Sequence, residues 1–119
     1  MANEHLRTAA MNLQRAVQDV RDAQKRIHGE IEAVKRDNAK KIDTINKQIA
    51  NMERNRMRKN LASASRVSVA AEEQTLQAQV SQISRDTELY VSQRDQEIRM
   101  FEGQANQFQN LASQLNTIA

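Results

Sequence analysis

At 119 residues the chain is long enough for one domain, yet it holds three aromatic residues, two Gly, and neither Pro nor Cys. With 28% charged residues and a mean hydropathy of −0.80, it lacks the bulky side chains of a sheet-built or globular core and points to a thin helical one. Disulfides and Cys-based zinc sites are excluded, no apolar run approaches the roughly 20 residues of a membrane span, and Met1 to Arg15 lacks the basic-then-apolar order of a secretory signal. A cytoplasmic protein is the expectation. Disorder is the compositional rival, because Gln, Asn and Ser are plentiful; sustained periodicity argues against it.

The first predicted helix runs from about residue 3 to about residue 60. Leu13, Val20, Ile27 and Val34 recur every seven residues, the next step to Ile45 is eleven, and Met52 resumes the sevens. A second row holds Val17, Gln24, Ile31, Ile42, Ile49 and Arg56. Repeats of seven align an apolar seam by left-handed winding of two helices, and an eleven-residue element relaxes that winding locally. Asn38 falls at the skip, where a buried Asn fixes register at a cost in stability.

The turn is expected over about 61–67, with Asn60 ending the first helix and Ser65 or Ser68 capping the second. Gly and Pro are both missing there, so a single unbroken helix paired antiparallel with a second copy is the architectural alternative.

The second predicted helix runs from about residue 68 to residue 116 and mirrors the first. Read backwards, Leu115, Phe108, Phe101 and Arg94 recur every seven, and the step to Ile83 is again eleven, followed by Leu76. A partner must change its winding at the same level, so the two halves are read as antiparallel partners. Ile27 then faces Phe101, Ile45 faces Ile83, and Met52 faces Leu76. In the other row Val17 faces Ala112, Gln24 faces Ala105, Ile42 faces Thr87, and Arg56 faces Glu73. Asn38 comes level with Tyr90 and Val91, Tyr90 being a candidate hydrogen-bond partner, and Arg94 comes level with Val34. The fold class expected is all-α: a long antiparallel helical hairpin with matched skips, closing into a four-helix or larger bundle. Leu89, Met100 and Leu111 recur at eleven residues beside the seam and are the expected self-association stripe.

Charge divides with the halves. Residues 1–60 hold 14 Lys or Arg against 8 Asp or Glu, and residues 61–119 hold 4 against 7. Arg54, Arg56, Arg58 and Lys59 crowd the end of the first helix, with Arg66 beyond the turn, so a basic tip is expected to meet an acidic protein partner. These cations also suit the negative end of a helix dipole, which needs no partner. Met57 and Leu61 lie among them, poorly covered.

Chemistry-bearing patterns are sparse. His5 and His28 are far apart and sit in no metal-ligand spacing, and the two Gly build no phosphate loop. Ser63, Ser65 and Ser68 lack a nearby His to activate them. No catalytic, metal or cofactor residue is expected. The reading is a non-catalytic coiled-coil scaffold or interaction protein that forms a homo-oligomer. An electrostatic nucleic-acid-associated protein is the alternative from another class, disfavoured because Tyr90, Phe101 and Phe108 fall on or beside the seam rather than forming a stacking platform. A small helical chaperone or adaptor is the third.

Overall fold

The computed structural model describes residues 2–58 and 63–119, with side chains placed for residues 3–57 and 66–119. Two helices account for it: α1 (Ala2–Arg58) and α2 (Ser63–Ile118). They form an antiparallel hairpin. Without Pro to remove a backbone donor, and with long stretches of Ala, Gln, Lys, Arg and Glu, nothing in either arm interrupts the helical hydrogen-bond ladder. No helix is long and apolar enough to cross a membrane among the described residues.

The hairpin divides into two compact units. A terminal unit joins Met1–Ile31 to Val91–Ala119, and a central unit spans Glu32–Tyr90. In the terminal unit the buried apolar residues are Ala10, Ile27, Ile31, Ala105 and Ala112, while Leu13, Val17, Val20, Phe101, Phe108 and Leu115 are half-buried. Val17 and Ala112 line one open groove, as the antiparallel register requires. In the central unit Ile49 is buried. Ile45 and Ile83 share a groove, Ile42 and Thr87 share another, and Arg56 lies 3.4 Å from Glu73. Every residue of the two predicted seam rows is buried or half-buried, and none is exposed.

The ends of the predicted turn move. Residues 63–67 are helical, so α2 begins five residues earlier than the Ser-rich composition suggested. Ser65 and Ser68 therefore lie within the helix rather than at its start. Ala and Ser tolerate helical geometry, and extending the backbone ladder satisfies more polar groups than a side-chain cap does. Asn60, Lys59 and Leu61 lie outside the described residues.

Asn38 reaches across to Thr87 on α2. Its amide donates to the Thr87 hydroxyl at 2.7 Å, and that hydroxyl donates onward to the Ile83 carbonyl at 2.7 Å. Thr87 lies one helical turn before Tyr90, the residue level with Asn38 in the predicted register.

Gly29 sits in the interior of α1, and a methyl group there would meet nothing within 4 Å. The backbone needs no left-handed geometry at this point. Gly29→Ala should therefore raise stability by about 1 kcal/mol through helix propensity and a less flexible unfolded chain. Urea unfolding followed by circular dichroism is the check: a higher midpoint with an unchanged slope.

Candidate interaction surfaces

The terminal unit places a polar cluster where the sequence offered a poor core layer. Gln24, a residue of the predicted seam, is only 7% exposed. A seam residue enters a hole made by four residues of the facing helix, and Gln24 uses the polar corners of its hole. Its amide donates to the Ile98 carbonyl at 3.0 Å and to Glu102 Oε2 at 3.1 Å, while its carbonyl accepts from Arg21 Nη1 at 3.0 Å. Arg21 also pairs with Glu102 across the two helices. A buried amide left without partners would be costly, and this one has three.

Hydrogen bonds from Arg21 first, and from Gln24 second, hold the Glu102 carboxyl below its ordinary range. A second interhelix pair joins Arg94 to Glu30, and Arg94 Nη1 also lies 2.8 Å from Glu97 Oε2. Arg94, placed level with Val34 by the predicted register, has its guanidinium held by two carboxylates. Sequence inspection missed both clusters. The signal available was the opposite charge of residues four to six positions, or about one to one and a half helical turns, from their nominal facing positions.

In the central unit the basic residues separate into different situations. Arg54 is exposed and, among the described residues, bonds within its own helix, to Asn51 Oδ1 at 2.7 Å and the Ala50 carbonyl at 3.4 Å. Arg66 is exposed. Arg56 is turned to Glu73, whose side chain is only 10% exposed, so its charge is engaged inside the hairpin. The Arg58 side chain and Lys59 lie outside the residues described. Met57 and Val67 are 87% and 70% exposed. Met57 was expected to be uncovered; Val67 was missed, because its position was assigned to a turn.

The α2 stripe is exposed as its spacing predicts: Leu89 at 59% in the central unit, Met100 at 67% and Leu111 at 46% in the terminal unit. His5 and His28 are both exposed on α1, and no group of three or more His, Cys, Asp or Glu capable of holding a metal exists among the described residues. Compared with protein-family models, curated proteins and solved structures, the chain matches none.

Two outcomes test these clusters. Arg56→Ala leaves the Glu73 carboxylate enclosed without its cation and should cost about 1–2 kcal/mol, a value kept low because the guanidinium partly meets water. Adding Glu73→Leu should restore most of that loss in the same unfolding assay, since the unpaired charge is then gone. For Glu102, the folded carboxyl is the stronger acid. Its contribution is complete above the unfolded range and disappears as pH falls through and below about 4.5. The thermal midpoint of the native protein should accordingly fall more steeply with acid below that pH than the midpoint of Glu102→Gln.

Proposed function

We propose that this chain is a non-catalytic coiled-coil scaffold that self-associates through α2 and contacts an acidic protein surface through the exposed cations near the hairpin's turn. The observation that carries this reading is the row Leu89, Met100 and Leu111, three large apolar side chains left in water on one helix. A helix pair already short of buried area gains more from covering such a row than a globular domain would. Closing two hairpins into a four-helix bundle is the arrangement that uses it.

Support for the basic contact is narrower than composition suggested. Arg56 is committed to Glu73, so Arg54 and Arg66, flanked by exposed Met57 and Val67, are the cations offered to a partner. A surface combining charge with apolar side chains suits a folded acidic protein better than a phosphate backbone, which presents no apolar groups.

Light scattering across a concentration series should give masses above one chain, and Met100→Glu with Leu111→Glu should return the mass to one chain without loss of helix content. Polyglutamate is the probe for the second part. The Arg54→Glu, Arg66→Glu double variant should bind it at least about tenfold more weakly at low salt, equivalent to about 1.4 kcal/mol. Duplex DNA bound more tightly than polyglutamate, with affinity falling steeply in log salt, would replace the acidic partner with nucleic acid.

A further inference from the structure

The exposed row on α2 contains more than its three apolar members. At helical spacing it reads Leu89, Gln93, Gln96, Met100, Gln104, Gln107, Leu111, with steps of four, three, four, four, three and four. All seven residues are exposed. At about 100° per residue they fall within an arc of roughly 80° on one helix face. None is charged.

The row is a palindrome about Met100. Gln96 and Gln104 stand four residues to either side, Gln93 and Gln107 seven, and Leu89 and Leu111 eleven. Six of the seven lie in the terminal unit; Leu89 is placed by its position in the helical sequence alone. A two-fold interface requires each residue to meet its counterpart across the axis, with the residue on the axis meeting itself. A palindromic row is the sequence form of that requirement for two antiparallel helices. We infer that a second copy of this chain docks here, α2 against α2 and antiparallel, with the two Met100 side chains on the symmetry axis. This rests on the self-association reading above and supplies its geometry.

The mirrored order selects the antiparallel direction: a parallel pairing in register brings each residue to its own copy and places no constraint on the order of the row. Residues 103–119 contain no ionisable side chain, so in the antiparallel pairing Arg94, Asp95 and Glu97 come level with an uncharged stretch of the second copy. Gly103 fits the same arrangement: an added methyl meets nothing within its own chain, so no internal contact accounts for a Gly that costs helix stability. It lies beside the row, three residues from the axis, where a small residue lets a neighbouring helix approach.

The contact is modest in extent. The 22 residue steps from Leu89 to Leu111 span about 33 Å, and a strip about 10 Å wide on each helix removes roughly 700 Å² in total, within the class of weak, concentration-dependent interfaces. Covalent trapping is therefore the appropriate test, and the absence of native Cys makes single substitutions unambiguous. Under mild oxidation Met100→Cys should form a disulfide-linked dimer. Gln93→Cys alone and Gln107→Cys alone should not, because each is then about 21 Å from itself, beyond the roughly 7 Å limit between bridged Cα atoms. Mixing the last two variants should restore linkage, joining Gln93→Cys to Gln107→Cys. Efficient self-linkage of Gln93→Cys would establish a parallel pairing and overturn the proposal. Wild-type mass above one chain without linkage at position 100 overturns this geometry while leaving self-association standing; one-chain mass at every concentration, with no linkage, removes both.

Discussion

A pair of helices offers each apolar side chain a single facing surface, and the opposite flank stays open to water. Everything else in this hairpin follows from that shortage of cover. Ala105 and Ala112 are 0% and 3% exposed, because a methyl group is enclosed as soon as the other backbone comes close. Phe101, Phe108 and Leu115, which have more area to hide, are only half-buried. Adding larger side chains to the seam would separate the helices and uncover the alanines, so a bigger core is not available to this architecture. Stability must come from length, with many thin layers each contributing a little, and from making no layer actively unfavourable.

Polar layers are the place where such a seam fails or acquires direction. An apolar seam with a seven-residue period tolerates sliding by one repeat, since every layer resembles the next. Gln24 does not tolerate it: displaced by seven residues, its amide would lose the Ile98 carbonyl and the Glu102 carboxylate while remaining enclosed. Asn38, bonded to Thr87, imposes the same condition in the central unit, and the enclosed Glu73 imposes it again through Arg56. These contacts add little net stabilisation when formed, because the groups were hydrated in the unfolded chain. Their effect lies in the cost of being misplaced. Register is thus defined chiefly by penalties on its alternatives.

The seam, the skips and the antiparallel direction were legible because they depend on backbone periodicity, which a sequence displays directly. Partner choice was less so. Treating seam residues as facing one another in pairs puts Gln24 on Ala105 and Asn38 beside Tyr90, whereas each knob enters a four-residue hole whose corners extend a turn or more along the opposite helix. Which corner a polar side chain selects depends on where an acceptor lies, so the roles of Ile98, Glu102 and Thr87 emerge only from the folded structure. Ser63 to Val67 were misassigned for another reason: Ser marks turns by competing for backbone groups, but where no Gly or Pro intervenes the helix keeps those groups. Val67 was lost to view with them. The basic cluster was read as one patch from its spacing along the chain, and the enclosed Glu73 divides it by taking Arg56.

The same helix α2 carries two stripes with different periods, and that difference separates their roles. From Arg94 to Leu115 the seam advances by sevens, while the exposed row from Leu89 to Leu111 advances by elevens. On a helix of 3.6 residues per turn, seven residues fall about 20° short of two turns and eleven overshoot three by about 20°. The two stripes therefore drift in opposite senses along the helix and cannot follow one partner. The sevens follow α1, which winds with them. The elevens suit a neighbour that meets α2 with little winding, as a separate rod lying alongside would. An apolar residue exposed by chance owes nothing to either period, whereas Leu89, Met100 and Leu111 keep one of them over six helical turns with only Gln between them on that face.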